Sequence, residues 1–254
     1  MASNNFKKMK YLYHKKDNFI AYHKIEGKSP GIIFLHGLRS DMYGNKALAL
    51  EKYAKTKGLS FIRFDFRGHG KSSGHFHNFG ITDWIEDMLF ILDQLTVSPQ
   101  ILVGSSMGGW IMLQTAIKNP IKIHALLGIA AAPDFTQDIY KNDLSELQKK
   151  NLKKYGYIKV KSDYDEEPYK ISTNLLNQGE ENLLLDNLIS INCPIHLLHG
   201  ELDYVVPIKT ALKLMDKLSS KNKKLTILGG AGHRFSEEKE IKEIFLSLNK
   251  LRKT

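Results

Sequence analysis

The chain has 254 residues, 42% apolar and 25% charged, an ordinary globular composition with room for one large domain. Its longest apolar runs, such as Ala125–Pro133, are far shorter than a membrane span, and neither a repeat nor a low-complexity tract is present. The net charge of +10 comes from scattered lysines with only five arginines (Arg39, Arg63, Arg67, Arg234, Arg252), which fits a solvated basic surface; a nucleic-acid site concentrates arginine and interleaves aromatics.

In chain order, the N-terminal MASNNFKKMKYLYHKK has lysines but no apolar core of a secretory signal and no arginine of a mitochondrial presequence. The expectation is a cytoplasmic protein without integral membrane association. Tyr11–Gly27 alternates loosely around Asp17-Asn18 and reads as an antiparallel hairpin at a sheet edge. GIIFLHG (Gly31–Gly37) reads as a buried strand, Lys46–Gly58 as a helix ended by Gly58, and Leu59–Phe66 as a second strand. Ile81–Leu95 places Ile81, Trp84, Ile85, Met88, Leu89, Leu92 and Leu95 on one helical face, with Thr82 as its expected cap.

Gln100–Ser105 reads as a strand, Met107–Asn119 as a helix and His124–Ala131 as a strand. Ile195–Gly200 and Lys224–Gly230 are the last two strands, with helices over Ile208–Leu218 and Ser236–Leu251. Near-continuous apolar strands alternating with helices imply an α/β fold with a parallel sheet covered on both faces. About sixty residues, 134–192, interrupt this rhythm, and a connection so long is usually functional or structured. The helix-like stretches DLSELQKKNLKKYG and YKISTNLLNQGEENLLL predict a small helical cap over the C-terminal edge of the sheet, where α/β sites lie. The single cysteine, Cys193, allows no internal disulfide and reads as a small buried apolar residue.

The stretch ILVGSSMGGW (Ile101–Trp110) joins strand to helix. A nucleophilic serine on so tight a turn needs small residues two before and two after it. Ser106 has Gly104 and Gly108 there; Ser105 has Val103 and Met107. Ser106 alone fits the G-x-S-x-G elbow. It also opens a helix, where free N–H groups favour negative charge. The Met107 N–H is one candidate oxyanion donor, and the Leu38 N–H, after the sharp exit that Gly37 permits in FLHGLRSD, is the other.

A serine hydroxyl needs a base, and the base an orienting acid. In the chain order Ser, acid, His, the base candidate is His233, in the glycine-rich loop GGAGHRF after the last strand. Besides His124, the later histidines are His196, which lies within a strand, and His199, which precedes the acids that could orient it. Asp203, in HGELDYVVP, is the acid candidate; Asp134 is its rival, and Glu201 follows Gly200 too closely to reach across.

FLHG, FDFRGHGKSSG, VGSSMGGW, HGELDYVVP and GAGHRF, in this order and covering nearly the whole chain, resemble the α/β-hydrolase superfamily. More narrowly, NKALALEKYAKTKG, QILVGSSMGGWIMLQTAI, CPIHLLHGELDYVVP and GHRFSE are similar to the mitochondrial abhydrolase-domain palmitoyl-protein thioesterases, also described as acyl-glucuronide esterases, and their bacterial relatives. The resemblance implies a single domain over 1–254, a mostly parallel eight-stranded sheet with helices on both faces, and a triad of Ser106, Asp203 and His233. It implies a serine hydrolase of esters or thioesters that acts on a small-molecule or acylated-protein substrate.

Three other readings fit parts of the sequence. DFRGHGKS (Asp65–Ser72) has the Gly-Lys-Ser of a phosphate loop, but Asp65 stands where its first glycine belongs, so Asp65 and Arg67 are expected to make structural hydrogen bonds. A serine aminopeptidase or amidase would share the triad, with DYDEEP (Asp163–Pro168) as an anchor for a substrate amine. A non-catalytic ligand receptor on the same fold is the third. Ser106 excludes the aspartate-nucleophile dehalogenases and epoxide hydrolases of the superfamily. No H-E-x-x-H, cysteine cluster or dinucleotide fingerprint occurs, so neither metal nor cofactor is expected.

Overall fold

The structure, a computed structural model, describes residues 9–160 and 168–254. Its strands are β1 (Lys10–Lys15), β2 (Asn18–Ile25), β3 (Lys28–Leu35), β4 (Leu59–Phe64), β5 (Gln100–Ser105), β6 (Ile123–Ile129), β7 (Tyr157–Val160), β8 (Tyr169–Ser172), β9 (Ile195–Gly200) and β10 (Lys223–Leu228). Its α-helices are α1 (Asn45–Lys57), α2 (Ile81–Leu95), α3 (Met107–Lys118), α4 (Phe135–Asp138), α5 (Glu146–Tyr155), α6 (Thr173–Glu180), α7 (Ile208–Lys217) and α8 (Glu238–Leu251).

Eight strands form one sheet in the order β1-β2-β4-β3-β5-β6-β9-β10. The β1–β2 and β2–β4 pairs are antiparallel; from β4 to β10 the pairing is parallel. Every residue of β5 and β9 is buried, as a central parallel strand demands. Successive side chains alternate between two cores. Leu35, Leu102, Leu126 and Leu197 pack with Trp84, Met88 and Trp110 of α2 and α3 on one face. Phe34, Ile101, Val103, Leu127 and Leu198 pack with Leu50 of α1 and Leu248 of α8 on the other.

Thr82 does not cap α2. Gly80 is the cap residue, and its N–H donates to Asp83 Oδ2 at 3.0 Å. Thr82 lies inside the first turn, where its hydroxyl accepts from Asn182 Nδ2 at 2.8 Å. A contact one hundred residues away in sequence outweighs the local capping preference.

Between β6 and β9 the chain carries α4, a π-helical turn over Ile139–Asp143, α5, the strands β7 and β8, and α6. The expectation of helices alone is corrected: β7 and β8 pair antiparallel, Ile158 opposite Ile171. The run from Tyr169 starts as a strand, and α6 begins only after Ser172, whose Oγ accepts from the Leu175 N–H at 3.2 Å. Four alternating residues are too few for periodicity to separate strand from helix.

The segment is fastened at several points. Asp134 accepts the N–H groups of Leu184 and Leu185 at 2.9 and 2.8 Å. The Asn182 carbonyl accepts from Trp110 Nε1 and Gln114 Nε2 on α3. Gln178 Oε1 accepts from the Thr82 N–H at the start of α2.

Candidate active site

Six residues of β5 lead directly into Ser106, and α3 starts at Met107. Ser106 has φ 55° and ψ −121°, a backbone conformation that costs a non-glycine residue about 1–3 kcal/mol and points its side chain out of the turn. The flanking glycines are sterically required. A Cβ on Gly104 would lie 2.4 Å from the Gly108 carbonyl oxygen, and one on Gly108 would lie 2.2 Å from the Leu35 carbonyl oxygen. Ser105 ends the strand as a buried residue.

His233 Nε2 lies 3.2 Å from Ser106 Oγ, and His233 Nδ1 lies 2.9 Å from Asp203 Oδ2. The three residues come from three loops at the C-terminal ends of β5, β9 and β10 and form one hydrogen-bonded chain. Asp203 Oδ1 accepts the N–H groups of Val205 and Val206 at 3.0 and 2.8 Å. Burial by itself pushes the Asp203 carboxyl up; the His233 hydrogen bond, the Val206 N–H and the neighbouring imidazoles outweigh it and hold the group below the usual carboxylate range. An ionised Asp203 keeps the proton of neutral His233 on Nδ1 and leaves Nε2 facing the serine as an acceptor.

The rival residues have other partners. Asp134 is taken up by the Leu184 and Leu185 N–H groups, as above. Glu201 Oε2 accepts from the Gly230 N–H at 2.9 Å, tying together the loops that carry Asp203 and His233. His196 bonds Thr226 Oγ1 within the sheet, and His199 Nε2 donates to the Val206 carbonyl beneath the Asp203 loop. Burial pushes the Cys193 thiol up to about 11, as befits an inert packed residue.

Above Ser106 opens a cavity of about 780 Å³. Gly37, Leu38 and Met107 line it beside the serine. A Cβ on Gly37 would stand 3.3 Å from Ser106 Cβ, so the loop after β3 runs alongside the hydroxyl. Among the described residues, neither the Leu38 nor the Met107 N–H is paired with a backbone or side-chain acceptor outside its own helix. Phe135, Ile139, Val160 and Tyr169 of the insertion form an apolar wall. The ring of Phe135 stands edge-on to Trp110, centroids 5.6 Å apart.

Sequence reasoning missed the basic residues Arg39, Lys46 and Arg234, which line the same cavity, Arg39 with its guanidinium 4.7 Å above the Tyr169 ring. Lys46 Nζ donates to the Arg234 carbonyl, one residue past His233, and burial lowers its ammonium to about 8. Nothing in the local pattern around Lys46 marks it. The phosphate-loop look-alike is instead a tight structural turn: Asp65 accepts the Met42 and Lys71 N–H groups, and Arg67 pairs with buried Asp87 at 2.5 Å. Asp163–Glu167, the acidic stretch read as an amine anchor, lie outside the described residues. Among the described residues no cluster of His, Cys, Asp or Glu is placed to hold a metal ion.

Residues 30–156 match the model of a family described as having the alpha/beta hydrolase fold. The chain belongs to the α/β-hydrolase family. It is similar to the palmitoyl-protein thioesterase ABHD10, mitochondrial, of Homo sapiens, with 40% identity over 233 residues that span 91% of this chain and 76% of that protein. The structure of mouse alpha/beta hydrolase domain-containing protein 10 superposes with a TM-score of 0.88 at 35% identity, covering 96% of this chain and 98% of that one. A crystal structure of a hydrolase from Agrobacterium vitis S4 gives 0.90 at 34% identity, with the same coverage of 96% and 98%. The protein is thus a hydrolytic enzyme of this family.

The relatives from Homo sapiens, Pongo abelii and Bos taurus are all mitochondrial by name, which overturns the expectation of a cytoplasmic protein. The composition of a folded domain does not encode its compartment, because an address is read from a separate segment. Among the described residues no helix is long and apolar enough to cross a membrane.

Proposed function

We propose that the protein hydrolyses a carboxylic ester or thioester through an acyl-enzyme formed on Ser106. The observation that carries this reading is the continuous chain Asp203–His233–Ser106, whose Ser106 and His233 line the cavity. Ser106 Oγ attacks the carbonyl carbon while His233 Nε2 takes its proton. His233 then protonates the leaving alcohol or thiol, and Asp203 stabilises the imidazolium that forms. A water deprotonated by His233 attacks the acyl-enzyme and releases the acid. The N–H groups of Leu38 and Met107 hold the oxyanion in both steps, each worth about 3 kcal/mol of barrier.

The thioesterase names of the relatives support a long acyl chain, on a protein or a small molecule, as the substrate. The apolar wall of Phe135, Ile139 and Val160 offers the surface against which such a chain would lie. A 780 Å³ cavity lies within the range of small-molecule sites, about 300–1,000 Å³.

The test is hydrolysis of matched oxygen esters and thioesters from acetyl to palmitoyl, with Ser106→Ala as the blank. The reading expects turnover by the native chain and a drop of about 10⁴-fold or more in kcat for the variant. Equal rates for the two chains would sink it, and cleavage of amides or N-terminal residues alone would favour a peptidase.

A further inference from the structure

His233 is aimed by the loop that carries it, and that loop is held at its two ends from different parts of the fold. Its entry is tied to the loop of Asp203: Glu201 Oε2 accepts the Gly230 N–H at 2.9 Å, and the Ala231 carbonyl accepts the Leu202 N–H at 2.8 Å. Residues 232–236 then cross to Glu237, the cap residue of α8. This exit is under strain. Phe235 stands at φ 47°, a costly conformation for a residue with a side chain. Its ring is buried in the core it shares with Leu50 of α1 and Leu248 of α8.

Lys46 acts on that exit. It is the second residue of α1, it lines the cavity, and its Nζ donates to the Arg234 carbonyl. The carbonyl belongs to the planar peptide that joins Arg234 to strained Phe235. A bond there fixes the plane of that peptide, and with it the direction in which the chain leaves His233. Donor and acceptor are 188 residues apart in sequence, so the contact ties the first helix to the loop of the base. The charge on Lys46 matters to the grip. Burial lowers its ammonium to about 8; Glu240 at the start of α8 works against this, and the Arg234 guanidinium works with it. An ammonium makes a charge-assisted bond to a carbonyl, and the neutral amine left above that pH makes a weaker one.

We infer that Lys46 is a positioning residue for the base: its ammonium holds the Arg234 carbonyl so that His233 Nε2 stays on Ser106 Oγ. This rests on the reading of Ser106 as nucleophile. Lys46 acts through the backbone beside His233, so its loss should lower kcat and leave KM alone.

Two substitutions separate the donor from the stem. Lys46→Met keeps an unbranched apolar stem and loses the N–H groups. Lys46→Arg keeps a cation that never loses its charge, and the cavity beside it has room for the longer side chain. The expected result at neutral pH is a fall of about 10-fold in kcat for Lys46→Met with KM within about twofold, against a loss under about threefold for Lys46→Arg. The dependence of kcat on pH is the second readout. The native chain should lose activity as pH rises through about 8, where the ammonium gives up its proton. Neither variant should show that alkaline limb, because neither has a group at position 46 that titrates there. An unchanged kcat in Lys46→Met would overturn the inference. So would a rise in KM alone, which would make Lys46 a substrate contact, or an alkaline limb that persists in Lys46→Met. If Lys46→Met does not fold, the native chain and Lys46→Arg decide: a limb in the native chain alone supports the inference, and the same profile in both overturns it. Were the native chain and Ser106→Ala equally active, the reading of the site would fail and carry this inference with it. Were Ser106→Ala inactive and Lys46→Met like the native chain in kcat and pH profile, this inference alone would fall.

Discussion

Ser106 and Ile139 face the same cavity, yet different forces hold them there. Ser106 sits on a turn whose neighbours admit no side chain, between a fully buried strand and a helix buried along most of its length. Ile139 begins a π-helical turn in a segment fastened by a few side chains: Asp134 to Leu184 and Leu185, Gln178 to Thr82, and Trp110 and Gln114 to the Asn182 carbonyl. The proposed nucleophile is thus mounted on backbone that its neighbours hold in one strained shape, and the surface proposed to meet the substrate is mounted on side-chain contacts. The first wall is expected to tolerate almost no substitution, and the second to accept changes with less effect on the reaction.

The largest expected effect lies on the first wall. Asp203→Asn should lower kcat about 10⁴-fold while the fold persists, because an amide no longer fixes the His233 tautomer. The same variant has a second readout. The Asp203 carboxyl is held below its ordinary value in the folded state, so its contribution to stability is fully present above the unfolded pKa, about 4, and is lost as pH falls through the lower folded value. The gap in urea midpoint between native and variant chains should therefore be constant from pH 5 to 8 and should shrink between pH 4 and 2. A gap that widens in acid would show that the buried carboxylate is strained rather than held.

The second wall should respond in the opposite sense. Asp134→Ala leaves the buried N–H groups of Leu184 and Leu185 without acceptors. The expected loss is about 2–3 kcal/mol, or roughly 4–10 °C in melting temperature. Turnover of a short ester, whose acyl group does not reach the insertion, should change less than fivefold. A collapse of kcat on acetyl esters would mean that the insertion also holds the triad, and the contrast between the walls would dissolve.

The same contrast explains what could be read from the chain. Glycines at 104 and 108, and the place of Asp203 and His233 in the loops after β9 and β10, are demands of backbone geometry, and such demands leave fixed residue types at fixed spacing. The parallel sheet was legible because a strand buried on both faces must be apolar throughout. The insertion answers to no such demand. Its β7–β8 ribbon has four residues per strand, and Thr82 gave up its cap position for a bond to Asn182, a partner outside any sequence window. His36 showed as part of a motif, but its acceptance of the Phe66 N–H, thirty residues away, lies outside any sequence window. Lys46 reaches Arg234 from a helix whose own pattern is unremarkable amphipathic surface.

The finest test is at Ile139. With Phe135 and Val160 it lines the apolar wall, and it packs against the core only as a partly buried side chain. Shortening it to alanine removes three carbons from a surface that a long acyl chain would cover and an acetyl group would not reach. Each buried methylene is worth about 0.8 kcal/mol, and a partly covered side chain returns about a third to a half of that total. The ratio of kcat/KM for palmitoyl over acetyl substrates should then fall about four- to eightfold in Ile139→Ala, with kcat on acetyl esters unchanged. An unchanged ratio would direct the acyl chain to another part of the cavity, away from Phe135, Ile139 and Val160, and would make the insertion a contact for the leaving group instead.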